Sequence, residues 1–197
     1  MEQNSALLVV DVQNDFCPNG ALSVPAGDKV VAPLNRAIEL FATAGRLVLA
    51  SRDWHPLVTK HFQDYGGAWP VHCVQGTPGA AFHPELRLPT ETIVLSKGID
   101  PERDGYSAFE AIAEDGRTLE EVLAAQGVRH LYIGGLASDY CIRTTTLDAL
   151  HMGFSVTVLS DGIAGVDVKP GDSARALEEI SRAGAQFCTV DELLSLQ

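Results

Sequence analysis

Short apolar runs that fail to alternate with polar residues, separated by helical patterns, constrain this chain more than any other feature. The runs fall at residues 6–10, 46–51, 92–96, 128–133, 155–159 and 186–189. A strand with one wet face alternates apolar and polar side chains, whereas a strand covered on both faces reads as continuously apolar. One helical stretch covers residues 28–44, with Val30, Val31, Leu34, Ile38 and Phe41 on one face and Gly45 as its stop. A second opens at Thr118, where Glu121 completes a capping box, and ends at Gly127. A third spans 139–152, a fourth 172–183, and a last short turn 191–196. Strands alternating with helices imply a parallel sheet packed on both faces. The expected fold is a single α/β domain over residues 1–197, a three-layer α/β/α arrangement.

Composition narrows the partners. Apolar residues make up 46% and charged residues 20%, which is enough apolar material for a real core. With 14 basic against 26 acidic residues the formal charge is −12, so the basic footprint of a nucleic-acid binder is missing. No apolar stretch has the length of a membrane span. The first run is stopped by Asp11 and lacks a preceding basic region, which makes a signal peptide unexpected. Cys17, Cys73, Cys141 and Cys188 are widely spread with no C-x-x-C pair, so free thiols and a cytoplasmic setting are expected.

Ligands of an open parallel sheet bind beyond the carboxyl ends of its strands. There the first three runs lead to Asp11, Asp53 and Lys97. The fourth leads to Gly134-Gly135-Leu136-Ala137-Ser138-Asp139-Tyr140-Cys141, with Cys141 in the first turn of the next helix. Unpaired N–H groups and the helix dipole favour a thiolate at such a position, and a nearby Lys97 would lower the thiol pKa further. Asp11 has the chemistry of a general base that later acts as an acid. Backbone N–H groups of the turn are candidates for holding an oxyanion. Singly, each residue has an ordinary reading: a turn aspartate, a solvated lysine, a packed cysteine. Their convergence on one sheet edge favours chemistry.

The segment 53–89 carries no clear element yet is rich in Trp, His, Gly and Pro, and structureless loops of this length are usually functional. Asp53 and His55 stand two residues apart, with His61 and His72 following. Three histidines and an aspartate suit zinc, iron or manganese, while the spacing alone is equally that of surface histidines on a loop. Phe16, Trp69 and Tyr106 lie on loops leaving the same edge, where a flat heteroaromatic ring could stack or where they could simply pack as a lid. His83, His130, His151 and the other three cysteines are assigned no chemical role.

Five motifs, in order along the chain, closely resemble the nicotinamidase (pyrazinamidase) family of isochorismatase-like hydrolases. They are Asp11-Val12-Gln13-Asn14-Asp15-Phe16, Ser51-Arg52-Asp53-Trp54-His55-Pro56, Trp69-Pro70-Val71-His72-Cys73-Val74-Gln75-Gly76-Thr77, Tyr106-Ser107-Ala108-Phe109 and the Gly134–Cys141 turn. The resemblance implies a six-stranded parallel sheet in the order 3-2-1-4-5-6. It casts Asp11, Lys97 and Cys141 as a catalytic triad, and Asp53, His55 and His72 as metal ligands with His61 as a fourth. It implies a cis Leu136–Ala137 peptide, with the Ala137 and Cys141 N–H groups on the oxyanion. Phe16 and Trp69 would flank a pyridine ring, with Tyr106 and Tyr140 as further walls. Asn19, Val71 and Tyr140 stand where many or some relatives carry glycine, proline and histidine.

The activity so implied is hydrolysis of nicotinamide, and of pyrazinamide, to the acid and ammonia through a thioester on Cys141, feeding NAD salvage. The cofactor expected is one divalent metal ion, zinc first, with iron or manganese as alternatives. The partner is a small molecule, with no nucleic acid and no membrane, and self-association into a homo-oligomer stays open. One rival is an amidohydrolase of the same superfamily acting on another small amide or ureido compound, though such relatives generally lack the metal set. Another is a hydrolase that attacks with metal-bound water, in which a fourth ligand at His61 would crowd the open position.

Overall fold

The computed structural model of the protein describes residues 4–195. A central sheet carries the strands β1 (Ser5–Val10), β2 (Leu47–Asp53), β3 (Ile93–Lys97), β4 (Ile112–Ala113), β5 (His130–Leu136), β6 (Ser155–Ala164) and β7 (Gln186–Cys188). Their order is β4-β3-β2-β1-β5-β6-β7, parallel throughout except for β4, which runs antiparallel to β3. Without β4 this is the expected order. The expected count of six, all parallel, is corrected to seven among the described residues: a two-residue edge strand is too short to leave a hydrophobic period.

The helices are α1 (Val31–Thr43), α2 (Leu119–Ala125), α3 (Arg143–His151), α4 (Asp172–Arg182) and α5 (Val190–Ser195). β1 shows why its run lacks alternation. Leu7 and Val9 join a core with Leu34, Ile38 and Phe41 of α1 and Leu193 of α5. Ala6, Leu8 and Val10 face a second core with Leu119 and Leu123 of α2, Ala149 of α3 and Ile180 of α4. Both faces are dry, so both parities are apolar.

Four boundaries differ from the sequence reading for physical reasons. β2 extends to Asp53 and β3 to Lys97, because paired polar ends stay in the ladder once their side chains are satisfied inside the protein. β6 continues past Leu159 to Ala164, with a register irregularity opposite Ile133 and Gly135. The stretch expected as one helix from Asp139 opens instead as a widened turn, Ser138–Ile142, in which Ile142 N–H reaches back to the Ala137 carbonyl at 3.1 Å. Of the last expected turn, Leu196 lies outside the described residues. Among the described residues no helix is long and apolar enough to cross a membrane.

The register aligns the strand ends that matter: Asp53 pairs with Lys97, and Val10 with both Ser51 and Gly135. α2 opens as its sequence dictates, with the Thr118 hydroxyl accepting from Glu121 N–H at 3.2 Å and the Glu121 carboxylate accepting from Thr118 N–H at 2.9 Å. Thr118→Ala is expected to cost about 1 kcal/mol, and so to lower Tm by about 2–4 °C in a calorimetric scan. An unchanged Tm would mean that the cap does not hold α2 in place.

Candidate active site

At the carboxyl edge of the sheet, the Lys97 ammonium is fully buried and sits 2.8 Å from Asp11 Oδ2 and 2.5 Å from Asp53 Oδ1. It also donates to Cys141 Sγ at 3.3 Å and to the Gly105 carbonyl at 3.1 Å. The two carboxylates and the sulfur each present an atom within 4.8 Å of the others. Asp11 leaves β1 with a positive φ of 50° and accepts the Ser51 hydroxyl at 2.7 Å, which sets its side chain over Lys97. Gln13 fixes Asp53, accepting its N–H at 2.7 Å and donating to its carbonyl at 2.8 Å.

One cation between two buried carboxylates drives their acidities apart. Burial opposes the Asp53 charge, but Lys97 and the neighbouring histidines outweigh it and hold that carboxyl well below the ordinary range. For Asp11 burial wins over Lys97, and the Asp53 charge adds to it, so its pKa is raised. Burial also works against the Lys97 ammonium, yet Asp11 and Asp53 hold it protonated. The expected low pKa of Cys141 is corrected. Burial raises the thiol well above its ordinary value, and Asp11 and Asp53 push the same way against Lys97. The resting sulfur is a thiol beside a carboxylate of raised pKa, a pairing between which a proton can pass.

His55, His61 and His72 lie on the long loop after β2 and are all buried. Each turns its Nδ1 to an acceptor: His55 to the Gly98 carbonyl at 3.1 Å, His61 to Asp104 Oδ1 at 2.8 Å, His72 to the Pro70 carbonyl at 2.7 Å. The proton is thereby held on Nδ1 and the Nε2 lone pair is left free. The three imidazoles bring one ring nitrogen apiece to within 4.8 Å of one another. His55 Nε2 is buried with no hydrogen-bond partner and lies 3.7 Å from Asp53 Oδ2. Burial lowers the pKa of His61 and takes that of His72 down to about 4, so both are neutral at pH 7. Convergent imidazoles with an orphaned nitrogen and an ionised carboxylate beside them fit a divalent metal ion.

Between sulfur and histidines opens a pocket lined by Phe16, Trp69, Tyr106, Tyr140, Ala137 and Cys141, with Asp53, His61 and His72 on its far side. Trp69 donates its indole N–H to the Tyr106 hydroxyl at 2.8 Å and stands edge-on to Tyr140, centroids 4.8 Å apart. The Leu136–Ala137 peptide is cis. The four cysteines are free.

All the residues singled out in the sequence are therefore brought to one place. Sequence reasoning missed Leu22 and Val166 of the pocket wall, Ser51 behind Asp11, Gln13 behind Asp53, and Asp104 behind His61. Gln13 and Ser51 stood inside the quoted motifs and were legible as companions of Asp11 and Asp53. Asp104 carried no local signal, because its partner is 43 residues away.

Fold and site together define an isochorismatase domain, and that family's model matches residues 5–192. The chain is 42% identical to the nicotinamidase of Escherichia coli (strain K12), with 94% of each chain covered. The pyrazinamidase of Pyrococcus horikoshii, solved in complex with zinc, superposes with a TM-score of 0.87 at 44% identity, covering 94% of this chain and 99% of that one. The PnC1 protein of L. infantum, solved in complex with nicotinate, gives 0.80 at 32% identity, with 95% and 93% covered. The chain belongs to the nicotinamidase family within the isochorismatase-like superfamily.

Removing the shared cation exposes the arrangement to test. Lys97→Met leaves Asp11 and Asp53 facing each other in a dry site, and breaking a buried pair in this way costs about 3–5 kcal/mol. Equilibrium urea unfolding is expected to show a loss of that order, and an unchanged midpoint would contradict the shared-cation reading.

Proposed function

We propose that this chain hydrolyses nicotinamide, and pyrazinamide with it, to the carboxylate and ammonia, with Cys141 as nucleophile. The observation that carries the reading is the pocket itself: a thiol, a carboxylate of raised pKa and a lysine on one side, three convergent imidazoles on the other, and aromatic walls between. A flat heteroaromatic amide suits that spacing, its ring among Phe16, Trp69, Tyr106 and Tyr140 and its carboxamide over Cys141. The relatives' names and the zinc and nicotinate complexes of their structures support it. The metal set beside the thiol disfavours the ureido alternative.

Asp11 takes the Cys141 proton as the sulfur attacks the carboxamide carbon. The resulting oxyanion is held by the backbone N–H groups of Ala137 and Cys141. On collapse, the C–N bond breaks, Asp11 returns the proton to the leaving nitrogen as ammonia, and a thioester remains on Cys141. Asp11 then takes a proton from water, whose oxygen attacks the thioester. The C–S bond breaks, the sulfur recovers its proton from Asp11, and the acid departs. Lys97 stays protonated throughout and keeps Asp11 and Cys141 in register. A divalent ion, zinc by preference, held by Asp53, His55, His61 and His72, would supply a positive anchor for the pyridine nitrogen. The same reading takes residues 1–197 as one catalytic unit acting in the cytoplasm, where its thiols stay reduced.

Ammonia release from nicotinamide by the purified protein is the direct test. Wild type is expected to turn over and Cys141→Ala to be inactive, while Asp11→Asn loses about 10²–10⁴ in rate. Turnover by Cys141→Ala, or an inactive wild type with zinc, iron and manganese supplied in turn, would overturn the proposal. Chelation separates the thiol mechanism from attack by metal-bound water. The expected outcome is a raised KM with residual turnover at saturating substrate, restored by zinc. Complete loss at every substrate concentration would favour the metal hydrolase.

A further inference from the structure

The three histidines differ in what stands behind them. His55 and His72 give their Nδ1–H to backbone carbonyls, of Gly98 and Pro70. His61 alone gives it to a side chain, Asp104 Oδ1 at 2.8 Å. His61 is buried, whereas the Asp104 side chain is 56% exposed, so the carboxylate reaches in from the surface.

That reach is built. Residues 98–105 fold back on themselves through two glycines with positive φ, Gly98 at 66° and Gly105 at 72°. A Cβ on Gly105 would lie 2.5 Å from the Gly98 nitrogen, and one on Gly98 would strike the His55 ring at 2.4 Å. The returning loop is laced to the segment bearing His61. Lys60 N–H and the Thr59 hydroxyl both donate to the Pro101 carbonyl, at 2.9 and 3.1 Å, and Lys60 pairs with Glu102. The same loop supplies the Gly105 carbonyl to Lys97 and Tyr106 to the pocket wall.

We propose that Asp104 is a positioning residue for His61, fixing its tautomer and ring orientation so that Nε2 faces the metal position together with His55 and His72. The inference rests on the reading that these histidines hold a metal. A carboxylate behind a ligating imidazole keeps the proton on the far nitrogen and strengthens the near one as a donor. Without it, His61 is free to carry its proton on Nε2, where it cannot ligate, or to turn its ring from the site. The proposal makes Asp104 the one outer partner of the three histidines that substitution can remove, because the other two are carbonyls of the main chain.

The test is zinc affinity of the full chain, stripped by a chelator and titrated with zinc against a chromophoric competitor. Asp104→Ala is expected to weaken binding about 10- to 100-fold. Asp104→Asn, which keeps an oxygen acceptor at the same place, is expected to recover most of the loss. Lys60→Ala loosens the exposed loop tie and should stay within about twofold of wild type, so a general loosening of the loop is separated from loss of the acceptor. Wild-type affinity in Asp104→Ala, an equal loss in Lys60→Ala, or no recovery in Asp104→Asn would overturn the proposal. If wild type itself binds no zinc, the metal reading fails and this inference fails with it, whereas tight wild-type binding unaffected by Asp104→Ala sinks the inference alone.

Discussion

A lysine ammonium with no access to water must be neutralised by the protein around it, and Lys97 is met by two carboxylates, a carbonyl and a sulfur. The desolvation of such a cation is costly, and only good geometry with every donor used offsets it. The sheet supplies that geometry. Parallel pairing sets Asp53 opposite Lys97 in register, β1 ends one strand over at Asp11, and the turn after β5 lays Cys141 across them. Each of the four groups comes from a different strand end, so the site exists only when the sheet is assembled.

The same cation divides labour between the acids. Asp53 stays ionised, and its second oxygen faces His55, so it joins the lysine cluster to the imidazole cluster. Asp11, deeper and less favoured as an anion, is the residue that the proposed mechanism uses to accept and return a proton. Two carboxylates with acidities pushed apart by their surroundings are the recurring device by which one site both takes and gives protons near neutrality. Burial, with the two carboxylates beside it, keeps the thiol of Cys141 protonated against the pull of Lys97.

Much of this was legible in the sequence. Continuous apolar runs gave the two-faced parallel sheet, and the first polar residue after each early run gave Asp11, Asp53 and Lys97. The long loop of Trp and His residues announced the second half of the site. What escaped had no local signature. β4 is too short for periodicity, and the polar Ser160 and Asp161 hid the continuation of β6. The widened turn at Ser138–Ile142 keeps a helix-like sequence while changing its hydrogen bonds. The sign of the Cys141 shift depends on how the burial and the carboxylates weigh against one lysine, which no linear spacing encodes. Asp104 depends on a fold-back of its loop that only its two glycines hinted at.

In the proposed mechanism the thiol of Cys141, and not a water, makes first attack on the carboxamide. Acid-quenched mixtures of enzyme and nicotinamide, taken during turnover and digested for mass spectrometry, test it most directly. A nicotinoyl group is expected on the peptide bearing Cys141, appearing and decaying at rates matching turnover. Turnover with that peptide unmodified at every quench time, with the thioester stabilised by acid, would contradict it.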